Sequence, residues 1–295
     1  MTLEFAHLDL VRPLIDAALA EDVGSGDVTT LATVPESARA EAEIVAKEEG
    51  ILCGLGVARA VFERVDPAIG FEADAADGDA VVPGRVVARA RGAARGLLTA
   101  ERTALNFLQH LSGIATATRR AADALAGTGV RVLDTRKTVP ALRLLAKYAV
   151  RCGGGENHRQ GLYDMVLIKE NHSAAAGGIP TAVRRAREER PDLKIEVEVT
   201  SLDELDQALW SGIDRVMLDN FTPERVRAAV QRVQSWTERA GRSRPEIEIS
   251  GRVTPETVRS FAVPGVDYIS SGALTHSVRA LDLSMELRLL PPGAR

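Results

Sequence analysis

The apolar positions of the chain change rhythm near Leu97. Before that point the pattern is mixed. Residues from Asp9 to Glu21 repeat with a helical period, with Leu10, Leu14, Ala17 and Ala18 on one face. In E-D-V-G-S-G-D-V-T-T, Gly24 and Gly26 stop that helix, and the neighbouring acids lack further ligands at calcium-loop spacing. Residues Arg39 to Ala46 (R-A-E-A-E-I-V-A) alternate at a period of two, and D-G-D-A-V-V-P-G-R-V-V-A-R-A-R-G reads as strand, turn, strand. This region predicts a small α+β domain with no chemistry of its own.

From Leu97 to about Ala126 the pattern is helical, with Leu98, Ala104, Leu105, Leu108 and Leu111 as its stripe, Thr99 as N-cap and an interruption at Ser112-Gly113. Arg102 lies off the stripe and by itself reads as a surface residue. Strands are then predicted at Val130–Asp134, Met165–Ile168, Ile195–Val199, Arg215–Leu218, Ile247–Ile249 and Val266–Ser270. Helices fall between them at Val139–Val150, Ile179–Glu189, Leu202–Trp210, Pro223–Thr237 and Pro255–Phe261. Ser201-x-x-Glu204 has the form of a capping box, and Thr222-Pro223 and Thr254-Pro255 each put a cap before a first-turn proline. Alternating strands and helices indicate parallel βα units, and without a GxGxxG fingerprint a barrel is favoured over a dinucleotide-binding open sheet. The predicted organisation is residues 1–112 as an N-terminal domain and 113–276 as the barrel, with 277–295 packing back on the first.

Composition narrows the class. The chain has 295 residues, 45% hydrophobic and 26% charged, as expected of a soluble globular protein. A pI near 5.8 argues against a general nucleic-acid binder, and no apolar run approaches membrane-spanning length. The N-terminus has no basic n-region, which argues against a signal peptide. Cys53 and Cys152 form neither a disulfide framework nor a metal motif, and Cys152 reads as a packed loop thiol. The expected compartment is the cytoplasm, and Asn171-His172-Ser173 is a chance sequon.

Charge changes the picture more. From Asp134 to Lys169 there are seven Lys/Arg and three acids, about +4 in a chain of net charge −4. A barrel places its chemistry at the C-terminal ends of its strands. The residues there are Asp134-Thr135-Arg136-Lys137, Lys169-Glu170-Asn171, Glu198, Asp219-Asn220, Ser250-Gly251 and Ser271-Gly272. A cationic half suits a small substrate with several negative charges. Glu198 and Asp219 can hold Mg²⁺ through water and sugar hydroxyls, stabilise a ribosyl cation, or neutralise Lys137 and Lys169. The loops around Ser250-Gly251 and Ser271-Gly272 follow the last two strands, where barrels cradle phosphate.

With D-T-R-K-T, G-G-G-E-N-H-R, I-K-E-N-H, E-V-E-V, L-D-N and S-G-A-L-T-H-S together, the chain closely resembles the quinolinate phosphoribosyltransferase family over nearly its whole length. The resemblance implies a small N-terminal α/β sandwich domain plus an incomplete, seven-stranded α/β barrel. It implies transfer of ribose 5-phosphate from phosphoribosyl pyrophosphate to the ring nitrogen of quinolinate, as a step of de novo NAD biosynthesis. The products would be nicotinate mononucleotide, pyrophosphate and CO₂, with Mg²⁺ required. Arg136, His158, Arg159 and Lys169 would surround the quinolinate dicarboxylate, and Lys137 would face the pyrophosphate. Glu198 and Asp219 would handle ribose and metal, directly or through substrate and water. Ser250, Gly251, Ser271 and Gly272 would take the 5-phosphate, with Thr135, Arg252 and Ala273 beside them in the substrate-binding set. Lys137, Lys169, Glu198 and Asp219 are the implied catalytic groups. Arg102 in E-R-T-A-L-N matches an arginine supplied by the partner subunit, which overturns its surface reading and implies a homodimer. The family usually has S-G-G where this chain has Ser250-Gly251-Arg252; the arginine either costs backbone strain there or adds a phosphate contact.

Three rivals remain open. A related pyridine or base phosphoribosyltransferase, or a paralogue of this fold attached to a metal-transport system, would be separated by comparing quinolinate with nicotinate as acceptors. A Schiff-base aldolase would use Lys169 as nucleophile. A non-catalytic phosphosugar sensor would bind ligand without releasing pyrophosphate.

Overall fold

The computed structural model describes residues 5–251 and 253–291. In chain order the elements are α1 (Phe5–Val23), α2 (Val28–Thr33), β1 (Arg39–Ala46), β2 (Gly50–Ile51), α3 (Leu55–Val65), β3 (Gly70–Ala73), β4 (Ala80–Val81), β5 (Val86–Ala93) and α4 (Ala94–Ala124). They continue as β6 (Arg131–Leu133), α5 (Arg143–Cys152), β7 (Val166–Ile168), α6 (Glu170–Ala176), α7 (Ile179–Glu189), β8 (Ile195–Val199), α8 (Leu202–Trp210) and β9 (Arg215–Asp219). The last are α9 (Pro223–Ala240), β10 (Glu246–Ser250), β11 (Tyr268–Ser270), α10 (Ala273–His276) and β12 (Leu283–Leu289). Two compact units result: Met1–Ala117 with Tyr148–Gly154 and Val278–Arg295, and Thr118–Lys147 with Gly155–Ser277.

In the first unit the alternating stretch is β1, with Ala40, Ala42 and Ile44 buried. It pairs antiparallel with both β5 and β12 in a sheet ordered β12-β1-β5-β3. The strand-turn-strand reading is not a hairpin, because β4 pairs with β2 and β5 with β1 and β3. Helix α1 turns a different face inward from the one read in the sequence: Val11 and Ile15 are buried, whereas Leu10 is 65% exposed. After α1, Asp27 caps α2, accepting the Thr30 N–H at 2.9 Å, and also accepts the Thr99 hydroxyl. Thr99 therefore lies inside α4 and is not its cap. Ser112-Gly113 does not break α4 either. The Ser112 hydroxyl accepts the Cys53 N–H at 2.9 Å, and a Cβ at Gly113 would lie 2.3 Å from the Arg279 carbonyl oxygen. Serine and glycine are there for close backbone approach. Cys53 and Cys152 are buried free thiols.

The second unit is built on a parallel sheet ordered β6-β11-β10-β9-β8-β7. Beside β6, Glu156 makes a one-residue parallel bridge to Leu133, so six strands are formed among the described residues where the resemblance implies seven. Alternation sorts each strand into two faces. Ile195, Val197 and Val199, with Val216, Leu218, Ile247, Ile249 and Ile269, form one buried apolar face. The inner face carries Glu196 and Glu198, Arg215 and Asp219, Glu246, Glu248 and Ser250, then Tyr268 and Ser270.

Helix starts follow local chemistry. Ser201 accepts the Glu204 N–H at 3.1 Å, but the Glu204 carboxylate turns to Thr200, so the capping box is half made. Thr222 caps α9. Helix α5 begins at Arg143 rather than Val139, because Pro140 disfavours helix at the residue before it and Ala141 has φ 64°. The expected helix at Pro255–Phe261 is a single 3₁₀ turn, Val258–Phe261. Pro264 bars its continuation.

Candidate active site

The inner-face residues that end the strands open into a cavity of about 560 Å³. Its cationic wall is Lys137 and Lys169, with Thr135 beside them; its acidic wall is Glu198 and Asp219. Ser250, Gly251, Gly272 and Ala273 line a third side. Lys169 ends β7 and is ion-paired with Glu198 at the end of β8. The Lys137 N–H is held by the Thr135 hydroxyl at 3.0 Å, and its carbonyl accepts the Thr275 hydroxyl at 2.8 Å. Gly251 has φ 118°, and a Cβ there would lie 2.6 Å from Asn220 Oδ1 and 3.0 Å from Asn220 N. Only glycine fits that turn. Arg252, next to it, lies outside the described residues, so its reading stays an expectation.

The other predicted residues are placed differently. Arg136 and Arg159 do not line the cavity but lie near each other. Burial, and then the Arg136 charge, lowers the pKa of Arg159. The Arg159 guanidinium donates to the Met165 carbonyl at 3.2 Å, and the Arg136 carbonyl accepts from Arg143 at 3.4 Å. The Ser271 hydroxyl is committed to the Val253 carbonyl at 2.5 Å and stands behind the cavity wall. Arg102 is exposed on α4 in the first unit.

His158 turns inward. Its Nε2 is 2.9 Å from Glu196 and 3.4 Å from Glu248, both fully buried, while its Nδ1 accepts the Arg159 N–H at 2.8 Å. That last bond requires an unprotonated Nδ1, so the ring proton sits on Nε2 facing the carboxylates. Against the cost of burial, the two glutamates push the imidazole pKa up to about 9. Burial, then Glu248, pushes Glu196 up to about 7. An added proton is accordingly held by the His158–Glu196 pair as a unit.

Below lies a run of paired charges. Arg215 reaches Glu248 at 3.2 Å and Glu246 at 2.9 Å. The Tyr268 ring is sandwiched between the Arg215 and Arg131 guanidinium groups, each 4.3 Å from its centroid. Arg131 reaches Glu156 at 3.1 Å. His158, Glu196 and Glu248 bring possible metal-ligand atoms within 4.8 Å of one another, but these donors and acceptors already bind each other and Arg215. Asp134 and Lys147 form a second buried pair at 2.5 Å. The same carboxylate accepts Asn157 Nδ2 at 2.6 Å and the His158 N–H at 2.9 Å.

A cavity with opposed lysines and carboxylates at parallel strand ends is shared by several chemistries, and comparison with known proteins decides among them. The N-terminal-domain model of the quinolinate phosphoribosyl transferase family matches residues 27–112, and its C-terminal-domain model matches 114–286. The chain belongs to that family. It is 44% identical over 286 residues to the nicotinate-nucleotide pyrophosphorylase (carboxylating) of Mycobacterium leprae, covering 95% of this chain and 98% of that one. It is 42% identical over 284 residues to a probable nicotinate-nucleotide pyrophosphorylase (carboxylating) of Bacillus subtilis, covering 96% and 95%. The crystal structure of NadC from Streptococcus pyogenes superposes with a TM-score of 0.90 at 41% identity, covering 99% of this chain and 100% of that one.

Five cavity-lining residues were given no site role from the sequence: Asn220, Val253, Thr254, Ser270 and His276. Asn220 has φ 54°, and its side chain donates to Asp219 at 2.8 Å, so it orients the carboxylate it follows. An asparagine directly after a strand-ending aspartate is the available signal, since asparagine tolerates the left-handed region. His276 stands one turn after the Gly272 loop. Nothing in its spacing separates it from an ordinary helix-end histidine.

Proposed function

We infer that this chain transfers the 5-phosphoribosyl group of phosphoribosyl pyrophosphate to the nitrogen of quinolinate and releases nicotinate mononucleotide, pyrophosphate and CO₂. This is a pentosyl transfer of de novo NAD biosynthesis. The observation that carries it is the cavity wall that sets Lys137 and Lys169 against Glu198 and Asp219, in a chain of this family.

Breaking the anomeric C–O bond builds positive charge on the ribose, which the adjacent carboxylates stabilise, while Lys137 opposes the charge of the departing pyrophosphate. Attachment at nitrogen makes a pyridinium, whose positive charge stabilises the carbanion left at C2 when CO₂ departs; that carbon then takes a proton. Arg136 and Arg159 stay charged and can grip carboxylates in bidentate fashion. No side chain need become covalently attached.

Glu198 and Asp219 supply hard oxygen donors to the cavity, and Asn220 fixes one of them, a donor set that fits Mg²⁺ with water and substrate oxygens completing its shell. When bound, the ion would supply charge neutralisation at the pyrophosphate. We place the enzyme in the cytoplasm; no helix among the described residues is long and apolar enough to cross a membrane. We also assign Arg102 to the site of a second copy in a homodimer. Its exposure on α4 and its match to the family's E-R-T-A-L-N arginine support this.

An assay for nicotinate mononucleotide, with quinolinate or nicotinate as acceptor and with or without Mg²⁺, tests the reading. Turnover is expected only with quinolinate and Mg²⁺. Arg102→Ala and Lys137→Ala should each be inactive, and mixing them should restore part of the turnover. Full activity of Arg102→Ala alone would remove Arg102 from the site.

A further inference from the structure

The turn Glu156-Asn157-His158-Arg159 is held at both ends by one network, which runs from an exposed ion pair at Glu156 to the buried carboxylates of Glu196 and Glu248. At one end Glu156 bonds to Arg131, which stacks on Tyr268. Tyr268 in turn meets Arg215 and Glu246. At the other end Arg215 reaches Glu248, and Glu248 with Glu196 holds the His158 ring. The ring's far nitrogen accepts the backbone N–H of Arg159, which fixes the start of that residue.

This arrangement is a poor way to stabilise a fold. Burying two carboxylates side by side is costly, and apolar residues of similar volume would serve a packed interior better. Each carboxylate gives one oxygen to the imidazole, while the Oε1 atoms of Glu196 and Glu248 make no hydrogen bond of good geometry with any group among the described residues. Arg159 is meanwhile kept near Arg136 against their mutual repulsion. The Arg159 guanidinium is itself anchored at the Met165 carbonyl, at 3.2 Å, and a guanidinium fixed in this way can present its fork to a carboxylate.

We propose that Glu196 and Glu248 are positioning residues for the acceptor: through His158 they set the Arg159 backbone and so the direction from which its guanidinium reaches a carboxylate of the acceptor. The inference rests on quinolinate being the acceptor. It places the determinant of acceptor affinity one layer below the cavity, on residues that touch neither substrate.

The test is a split between the two substrates. In Glu196→Leu, KM for quinolinate should rise about tenfold while KM for phosphoribosyl pyrophosphate stays within twofold. Glu196→Gln keeps an acceptor for Nε2–H without the charge and should raise KM for quinolinate about threefold. If the leucine variant does not fold, the glutamine variant is read by the same split. An equal rise in both KM values, or an unchanged KM for quinolinate in a folded variant, overturns the proposal. Wild-type protein that turns over nicotinate but not quinolinate would instead overturn the choice of acceptor.

Discussion

The mouth and the floor of the second unit are built from the same residue types, lysine or arginine facing glutamate or aspartate. On the floor each charge is matched by others. Arg215 has two glutamates, Asp134 has Lys147, Asn157 and a backbone N–H, and Tyr268 has a guanidinium on each face. At the mouth the matching thins: Lys137 has no ion pair among the described residues, and the carboxylate of Asp219 has one amide. The difference teaches where to look for chemistry. A charge already satisfied by its neighbours holds the frame, and one left short of partners is available to a ligand.

The largest effect should come from unbalancing the floor. In the Asp134–Lys147 pair, burial raises the pKa of Asp134 and lowers that of Lys147 despite their attraction, so desolvation outweighs the pairing on both sides. Asp134→Leu alone leaves a buried ammonium and should cost about 3–5 kcal/mol in a urea titration. Changing both, Asp134→Leu with Lys147→Met, should recover most of the loss. At the mouth the ordering reverses. Lys137→Ala should lower turnover about a hundredfold or more with no shift in the urea midpoint. A destabilised Lys137→Ala would erase the distinction between the two layers.

A smaller effect comes from pH. The folded-state pKa values of His158, about 9 against 6.5, and of Glu196, about 7 against 4.5, are both raised. Each group then binds its proton more tightly in the folded state. The contribution of Glu196 is whole below pH 4.5 and is lost as pH rises through 7; that of His158 is whole below 6.5 and is lost through 9. Stability measured relative to His158→Asn should therefore fall between pH 6.5 and 9, by no more than about 3 kcal/mol. A flat difference across that range would mean that the two glutamates do not act on the ring.

Much of this was legible in the sequence. All six predicted strands of the second unit exist within one or two residues of their expected ends, because short apolar runs bounded by charge and glycine have few other fates. Most of the residues closing the cavity sit at strand ends; Val253, Thr254 and His276 do not. The floor was not legible. In I-E-V-E-V and E-I-E-I-S the sequence shows that one face is polar, but not whether Glu196 and Glu248 meet solvent, a substrate or each other. His158 was read as a substrate contact for the same reason: the motif names the residue, and only the fold shows which way its ring turns. Likewise Leu10 and Leu14 formed as good a stripe as the buried Val11 and Ile15. Helical period gives a face; the neighbours choose it.

One strand of the first unit has a consequence for biosynthesis. Strand β1 is complete only when β12, more than two hundred residues later, has paired along its open side. A nascent chain therefore carries β1 with a bare row of backbone groups while the whole second unit is being made and folded. Until β12 pairs, that edge is a template open to strand addition by another chain.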